Sequence, residues 1–160
     1  HLAVSATTRN PRPGEVDGVS YHFMTEERFA RLVEQDAFLE WAEVHEHRYG
    51  TLRSETDDRL EHGESVMLEI DVQGAFKVRE LRPDAVLIFV EPPSLEELER
   101  RLRGRGSEDE HAIAVRLRNA RHEMELASRY DERIVNDDLD KATECLLALL
   151  ARHENNGGAT

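Results

Sequence analysis

Short apolar segments alternate along this chain with longer segments whose apolar residues recur at helical spacing. Residues 2–5, 66–70 and 85–90 form apolar runs with the length of buried strands, and residues 38–44 alternate between apolar and polar positions. Strands that alternate with helices along a chain are typical of an α/β domain. We therefore predict a small parallel sheet flanked by helices, with inserted pieces between residues 10 and 65.

Capping residues indicate where the helices begin. Thr25 is followed by Glu26 and Glu27, which suit the positive end of a helix, and residues 94–97 have the form of a capping box. The last residues, 154–160, are rich in Asn and Gly, and we expect them to be disordered. The pattern predicts one helix that begins at Thr25 and five further helices, from Ser54 to about Gly63, over 73–81, from Ser94 to Arg103, from Asp109 to about Arg129 and over 139–152. It also predicts short strands over 18–24 and 134–136.

The composition limits the kind of ligand that the chain can bind. Its 160 residues suffice for one domain with a real core, and 21 basic against 34 acidic side chains leave a net charge of −13. Such a surface repels nucleic acid and anionic membranes, so an anionic ligand has to be small and held in a locally basic pocket. The single cysteine, the lack of a signal peptide and the lack of a membrane-length apolar run predict a cytoplasmic protein.

A rigid loop with two arginines follows the first apolar run. Pro11 and Pro13 fix the backbone and remove two donors, so this segment cannot be a helix interior or a central strand. Arginine forks and hydroxyl groups on such a loop suit a phosphate monoester, because a guanidinium binds phosphate oxygens in pairs. The alternative is a solvated basic turn. The candidate phosphate-binding residues are Ser5, Arg9, Arg12, Tyr21 and Tyr49.

Three polar residues could read a guanine base: Glu40, Thr51 and Asp71. Guanine presents N1–H and the 2-amino group as adjacent donors beside the acceptor O6, and adenine has the opposite polarity at these positions. A carboxylate that accepts two parallel bonds, with one hydroxyl donor, would therefore select guanine. The alternative for Glu40, given equal weight, is a place on the solvent face of an alternating strand.

Asp71 directly follows the apolar run 66–70. In open α/β sheets ligands collect beyond the carboxyl ends of the strands, and a carboxylate there commonly holds Mg²⁺, directly or through water. Asp71 is therefore also a candidate Mg²⁺ ligand. Its alternative role is the N-cap of the helix that follows.

A cluster of arginines lies in the second half of this acidic chain. It is interrupted by Gly104 and Gly106, which flank Arg105 and suggest a mobile lid that brings positive charge over phosphates. Phosphoryl transfer needs such charge, since its catalysis is mostly positioning and neutralisation. The alternative is a charged helix with exposed ion pairs. The candidate catalytic residues are Arg101, Arg105 and Arg116.

Seven short motifs occur in order and together resemble the guanylate kinase family, whose members phosphorylate GMP with ATP. They are S-x-T-T-R-x-P-R-x-G-E from Ser5, E-W from Glu40, Y-G-T from Tyr49, I-D-x-Q-G from Ile70, P-P-S from Pro92, R-L-x-G-R-G from Arg101 and V-N-D-D-L from Val135.

The resemblance implies a role for each candidate residue. Ser5, Arg9, Arg12, Tyr21 and Tyr49 would hold the GMP phosphate region, Glu40 and Thr51 would read guanine, and Asp71 would lie near GMP and the metal. Arg101, Arg105 and Arg116 would be the lid and transfer arginines, and Asn136 would lie near the adenine. Mg²⁺ with ATP is the implied cofactor, GMP and ATP are the implied substrates, and a monomer or homodimer is expected.

The resemblance also implies a parallel-sheet core of the P-loop nucleoside-monophosphate-kinase type. Residues 1–9 and 65–153 would form the core, with a helical lid at about 100–125, and residues 10–64 would form a GMP-binding insertion. The family's phosphate loop, G-x-x-x-x-G-K-[ST], does not occur in the sequence. We therefore expect that the strand and helix around this loop are missing from the N-terminus, and that this chain by itself is poorly active or inactive.

Two rival functions are compatible with the same residues. A non-enzymatic guanylate-kinase-like module would bind phosphopeptides in the pocket that otherwise takes GMP. A related nucleoside-monophosphate kinase would prefer another base.

Overall fold

The computed structural model describes residues 1–44, 46–105 and 109–157, and the side chains of Arg105 and of residues 155–157 lie outside this description. Within it the chain divides into two compact units, residues 1–85 and residues 86–160. These units do not coincide with the predicted core and GMP-binding insertion. That functional division stays a prediction.

The first unit is built on a mixed four-stranded sheet. Its strands are β1 (Ala6–Thr7), β2 (His22–Phe23), β3 (Phe38–Val44) and β4 (His47–Leu52), in the order β2-β1-β4-β3. Strand β1 is parallel to β2, whereas β4 is antiparallel to both β1 and β3. The helices of this unit are α1 (Glu26–Glu34), α2 (Asp57–Glu61) and α3 (Val72–Leu81), and a 3₁₀ turn spans Arg53–Glu55.

Helix α1 closes one face of this sheet. Thr25 caps it as predicted, since its hydroxyl oxygen accepts a hydrogen bond from the Arg28 N–H at 3.2 Å. Phe29 projects from α1 into the core, where it is fully buried and stacks on Phe38 of β3 with ring centroids 4.4 Å apart. Together with Ala6 of β1 these rings join helix and sheet into one core.

Two predicted strands of this unit do not form, and one observed strand was not predicted. Residues 2–5 are not a strand, since only Leu2 pairs there and β1 begins at Ala6. Residues 66–70 do not form a buried strand: only Met67 pairs, in a parallel bridge with Leu2, and Met67 is 37% exposed. An apolar run becomes a strand only where a neighbour supplies a ladder of hydrogen bonds, and here the pairing is a single bridge. Strand β4 was not predicted, because its sequence, His-Arg-Tyr-Gly-Thr-Leu, does not alternate in polarity.

The second unit carries a parallel strand pair and three helices. Strands β5 (Ile88–Glu91) and β6 (Glu132–Val135) are paired in parallel. The helices are α4 (Leu95–Arg105), α5 (Glu110–Leu126) and α6 (Leu139–Gly157), and a 3₁₀ turn spans Ala127–Arg129. The predicted cap at Ser94 is confirmed, since Ser94 accepts from the Glu97 N–H at 3.1 Å. Asp109, the predicted start of the next helix, caps α5 by accepting from the Ala112 N–H at 2.8 Å.

Two boundaries in this unit differ from the prediction. Helix α4 passes through Gly104 and ends at Arg105, so Gly104 does not break it, and Gly106 lies outside the described residues. Helix α6 extends to Gly157, beyond the predicted end at Arg152, and 158–160 of the predicted disordered tail lie outside the description. The overall prediction of an α/β fold is confirmed, but the larger sheet is mixed rather than parallel.

None of the helices within the described ranges combines the length and apolar character needed to cross a membrane.

Candidate nucleotide-binding site

A cavity of about 220 Å³ in the first unit collects residues that the sequence places far apart. Its walls come from β3, from β4 and from the segment that leads into α3. Five of the candidate residues line it together: Ser5, Tyr21, Glu40, Tyr49 and Asp71. The structure therefore brings the predicted phosphate-binding hydroxyls and the predicted base-reading carboxylates to one cavity.

Glu40 is the most constrained of these side chains. It is 5% exposed, and its Oε1 accepts two hydrogen bonds from Thr51, at 3.0 Å from the backbone N–H and at 2.8 Å from the hydroxyl. Burial raises the pKa of Glu40 above its ordinary value of 4.5, and the neighbouring charge of Asp71 adds to this, whereas the bonds from Thr51 oppose it. The carboxylate is thus held in one orientation at the wall of the cavity.

Thr51 is buried beside Glu40. It is 1% exposed, and its hydroxyl group donates a hydrogen bond to the Glu40 carboxylate. Its observed contribution is to orient Glu40. A direct contact between Thr51 and a base stays a prediction.

Asp71 fulfils its alternative role as the N-cap of α3. Its Oδ1 accepts from the Gly74 N–H at 2.9 Å, and its Oδ2 accepts from the Gln73 side chain at 3.1 Å. Across the described parts of the chain, no three His, Cys, Asp or Glu side chains are grouped so that they could hold a metal ion. Because Mg²⁺ is usually held by one or two carboxylates together with substrate phosphates, Asp71 fits an ion carried by the nucleotide rather than a resident metal.

Arg9 adjoins the cavity through Tyr21, which lines it. Its guanidinium carbon lies 5.5 Å from the ring centroid of Tyr21, and that ring packs edge-on against Tyr49 at 6.1 Å. The same guanidinium makes a bidentate pair with Glu15, at 3.0 Å and 2.8 Å. This pairing raises the pKa of Arg9 and lowers the pKa of Glu15.

Glu15 is a site residue to which the sequence analysis assigned no role. Besides Arg9 it binds the turn itself, since its Oε2 accepts from the backbone N–H of Arg12 at 2.6 Å. The signal was present in the spacing, because an acidic residue three positions after Arg12 can close a turn. The side chain of Arg12 is exposed, so the structure brings its backbone, but not its guanidinium, into this network.

The remaining candidates lie in the second unit. Arg101 joins α4 to the end of β6: it donates to Glu97 at 2.7 Å and to the backbone carbonyl of Asn136 at 2.8 Å. Arg101 and Asn136 are thus neighbours. Arg116 is half-buried on α5, and the side chain of Arg105 lies outside the described residues. Glu97 also binds Arg100, and the two arginines lower the pKa of Glu97 to about 2.

Comparison with known proteins identifies the family. The guanylate kinase family model matches residues 1–153. A guanylate kinase of Caldanaerobacter subterraneus subsp. tengcongensis is 50% identical over 149 residues, which cover 93% of this chain and 72% of that protein. A guanylate kinase of Synechocystis sp. is 48% identical over 153 residues, covering 96% and 80%. The crystal structure of guanylate kinase from Anaplasma phagocytophilum superposes with a TM-score of 0.84 at 36% identity, covering 96% of this chain and 76% of that one. This chain belongs to the guanylate kinase family.

Proposed function

We propose that this protein phosphorylates GMP to GDP with ATP as the phosphate donor. The observation that carries the proposal is Glu40, a buried carboxylate fixed by Thr51 in the wall of a cavity that Tyr21 and Tyr49 share. Burying a charged carboxylate is costly, so its presence at a cavity is best explained by a ligand that donates hydrogen bonds to it. The family membership supports the same activity.

The cavity would bind GMP in one direction. At the base end, which we define as Glu40, Thr51 and Asp71, the Glu40 carboxylate would accept N1–H and the 2-amino group of guanine. Adenine lacks this pair of donors and would leave the carboxylate unpaired, which is the basis of the selectivity.

The phosphate of GMP would lie at the other end of the cavity. This phosphate end, which we define as Ser5, Arg9, Arg12, Tyr21 and Tyr49, offers hydroxyl donors and guanidinium groups that suit a doubly charged phosphate. The contact of Arg9 with the ring of Tyr21, which packs on Tyr49, supports the assignment.

Transfer would proceed by in-line attack of a GMP phosphate oxygen on the γ-phosphorus of ATP. The bond from that phosphorus to the bridging oxygen would break, so that ADP leaves and GDP is formed. No protein nucleophile is needed, since catalysis of this reaction rests on positioning and on neutralising the charge of the transferred group. We assign that neutralisation to Arg101, Arg105 and Arg116, place Asn136 near the adenine, and assign Asp71 to the substrate-bound Mg²⁺. When bound, Mg²⁺ would neutralise charge on the phosphate oxygens.

The core would be of the P-loop nucleoside-monophosphate-kinase type. The parallel pair of β5 and β6 and the parallel bridge between Leu2 and Met67 support this. The ATP phosphates are assigned to no residue of these 160, because the G-x-x-x-x-G-K-[ST] motif does not occur in them. A cytoplasmic location and a monomeric or homodimeric state stay predictions.

Of the two rival functions, one is not supported by the comparisons and the other is disfavoured by the cavity. The phosphopeptide-binding module is not supported, because the similar proteins named above are guanylate kinases. A related kinase with another base preference is disfavoured by Glu40, whose acceptor oxygens match guanine rather than adenine.

Calorimetry with GMP, IMP and AMP, together with a coupled assay of ADP release, tests the proposal. We expect the tightest binding with GMP and turnover that requires GMP. Binding of AMP as tight as that of GMP, or ADP release that does not depend on GMP, would contradict it.

A further inference from the structure

Gly74 lies in the first turn of α3, a position where glycine is unfavourable unless the structure requires it. Glycine is a poorer helix former than alanine, and Gly74 is buried within its helix. Its φ angle is not in the left-handed region, so the backbone does not require glycine here. The reason must therefore lie in the space that a side chain would fill.

That space is occupied by the base end of the cavity. A Cβ atom added at Gly74 would lie 2.6 Å from Oε2 of Glu40, 3.1 Å from Cδ of Glu40 and 3.3 Å from Oδ1 of Asp71. The first distance is far shorter than any ordinary contact between carbon and oxygen. An alanine at this position would therefore force Glu40 or α3 to move.

Neither partner is free to move without loss. Oε1 of Glu40 is held by both hydrogen bonds from Thr51, and the side chain is buried, so turning the carboxylate away breaks two bonds within a buried site. Lys77 of α3 donates to the carbonyl of Trp41 on β3, which ties the helix to the strand that carries Glu40, and the bond from Gly74 N–H to Asp71 fixes the first turn of the helix. Residue 74 thus lies between two fixed elements.

We propose that Gly74 is a specificity-determining positioning residue, whose missing side chain lets the Glu40 carboxylate stand where it reads the 2-amino group of guanine. The proposal rests on the proposed function. Gly74 itself touches no reacting atom and acts through Glu40. We assign Oε2, the oxygen that a Cβ at residue 74 would displace and that Thr51 does not bind, to the 2-amino group. Its displacement would cost GMP its advantage over IMP, which lacks that group.

The test measures GMP and IMP affinity and Tm for Gly74→Ala in the full chain. We expect GMP affinity to fall by about tenfold, IMP affinity to fall less, and the GMP-to-IMP ratio to shrink accordingly. Gly104→Ala serves as the Tm control, because it is also a helical glycine but a Cβ there meets nothing within 4 Å. We expect that control to keep or raise Tm. Equal weakening of GMP and IMP by Gly74→Ala, or no weakening of either, overturns the proposal.

A double-mutant cycle with Glu40→Asp isolates the contact. The shorter side chain withdraws the carboxylate from residue 74, so adding Gly74→Ala to Glu40→Asp should change GMP affinity by less than about twofold. The same loss in both backgrounds overturns the proposal. If Gly74→Ala does not fold, recovery of folding in the double variant supports the contact and failure to recover overturns it. If the wild-type chain binds neither nucleotide, the proposed function fails. The contact between residue 74 and Glu40 is then tested separately, by whether the effects of the two substitutions on Tm are non-additive.

Discussion

The two ends of the cavity are built in opposite ways. At the base end, Glu40 is buried between strand and helix, and its orientation is set by two hydrogen bonds from one residue, Thr51. At the phosphate end, Arg9 lies on an aromatic ring and pairs with Glu15 from a proline-containing loop whose other arginine, Arg12, is exposed. One end is preorganised by the core, and the other is held by charges near water.

This difference separates selectivity from strength of binding. A buried acceptor cannot turn to suit another base, so it discriminates strongly, whereas a partly exposed ion pair is screened by salt and adapts at little cost. We therefore expect substitutions at the base end to change which nucleotide binds, and substitutions at the phosphate end to change how tightly any nucleotide binds.

The largest effect is expected from Glu40→Gln. It removes one acceptor while keeping the shape, so GMP affinity should fall by roughly 10- to 100-fold, with a much smaller change for AMP. Because burial raises the pKa of Glu40 in the folded state, the folded protein binds this proton more tightly than the unfolded chain does. Above that pKa Glu40 is charged, and burying this charge lowers the free energy of unfolding. At pH 7 Glu40→Gln should therefore have a Tm equal to or higher than that of the wild type.

The control for this variant is Glu43→Gln, an exposed carboxylate on the same strand, β3. It should leave GMP affinity unchanged. Unchanged GMP affinity in Glu40→Gln would mean that the base is read elsewhere.

The next largest effect is expected from Arg9→Lys. The substitution keeps the charge but removes the fork that pairs with Glu15 and contacts the Tyr21 ring, so GMP, IMP and AMP should all weaken by about tenfold. Calorimetry with the three nucleotides measures this, with Arg31→Lys on the exposed side of α1 as the control. A loss confined to GMP would contradict the division between the two ends.

A smaller effect is expected from pH. The raised pKa of Glu40 means that it takes up a proton at a higher pH than the ordinary 4.5, and the protonated form loses an acceptor. As pH falls toward the ordinary range of a carboxyl group, GMP affinity should therefore weaken by several-fold in the wild type. The phosphate of GMP also titrates near pH 6, so the decisive measurement is the difference from Glu40→Gln, whose profile should be flatter. Parallel profiles would exclude Glu40 as the titrating group.

The smallest effect is expected from Glu15→Gln. Glu15 holds Arg9 and the Arg12 backbone, but the pair is close to solvent, so GMP affinity should weaken by at most about fivefold. Added salt should reduce the difference from the wild type. Glu34→Gln, at the exposed end of α1, is the control. A loss as large as that of Glu40→Gln would show that the phosphate end is as rigid as the base end.

Local patterns in the sequence predicted the elements that depend only on residues close together in the chain. Alternating polarity predicted strand β3 with the bounds that the structure has, and the caps at Thr25 and Ser94 predicted two helix starts. A cap depends on a few neighbouring residues, and a period-two pattern depends on one strand. The resemblance to guanylate kinases likewise rested on short motifs, and the family comparison confirmed it.

The tertiary structure decided what depends on distant partners. The run 66–70 pairs through one bridge only and β4 completes a mixed sheet, because strand pairing is settled by neighbours far away in sequence. Glu40 had two equal interpretations until β4 brought Thr51 beside it and α3 brought Gly74 against it. The sequence by itself determined which groups were available and where its local elements begin, and packing decided which carboxylate became buried, because burial is a property of the assembled unit rather than of any one segment.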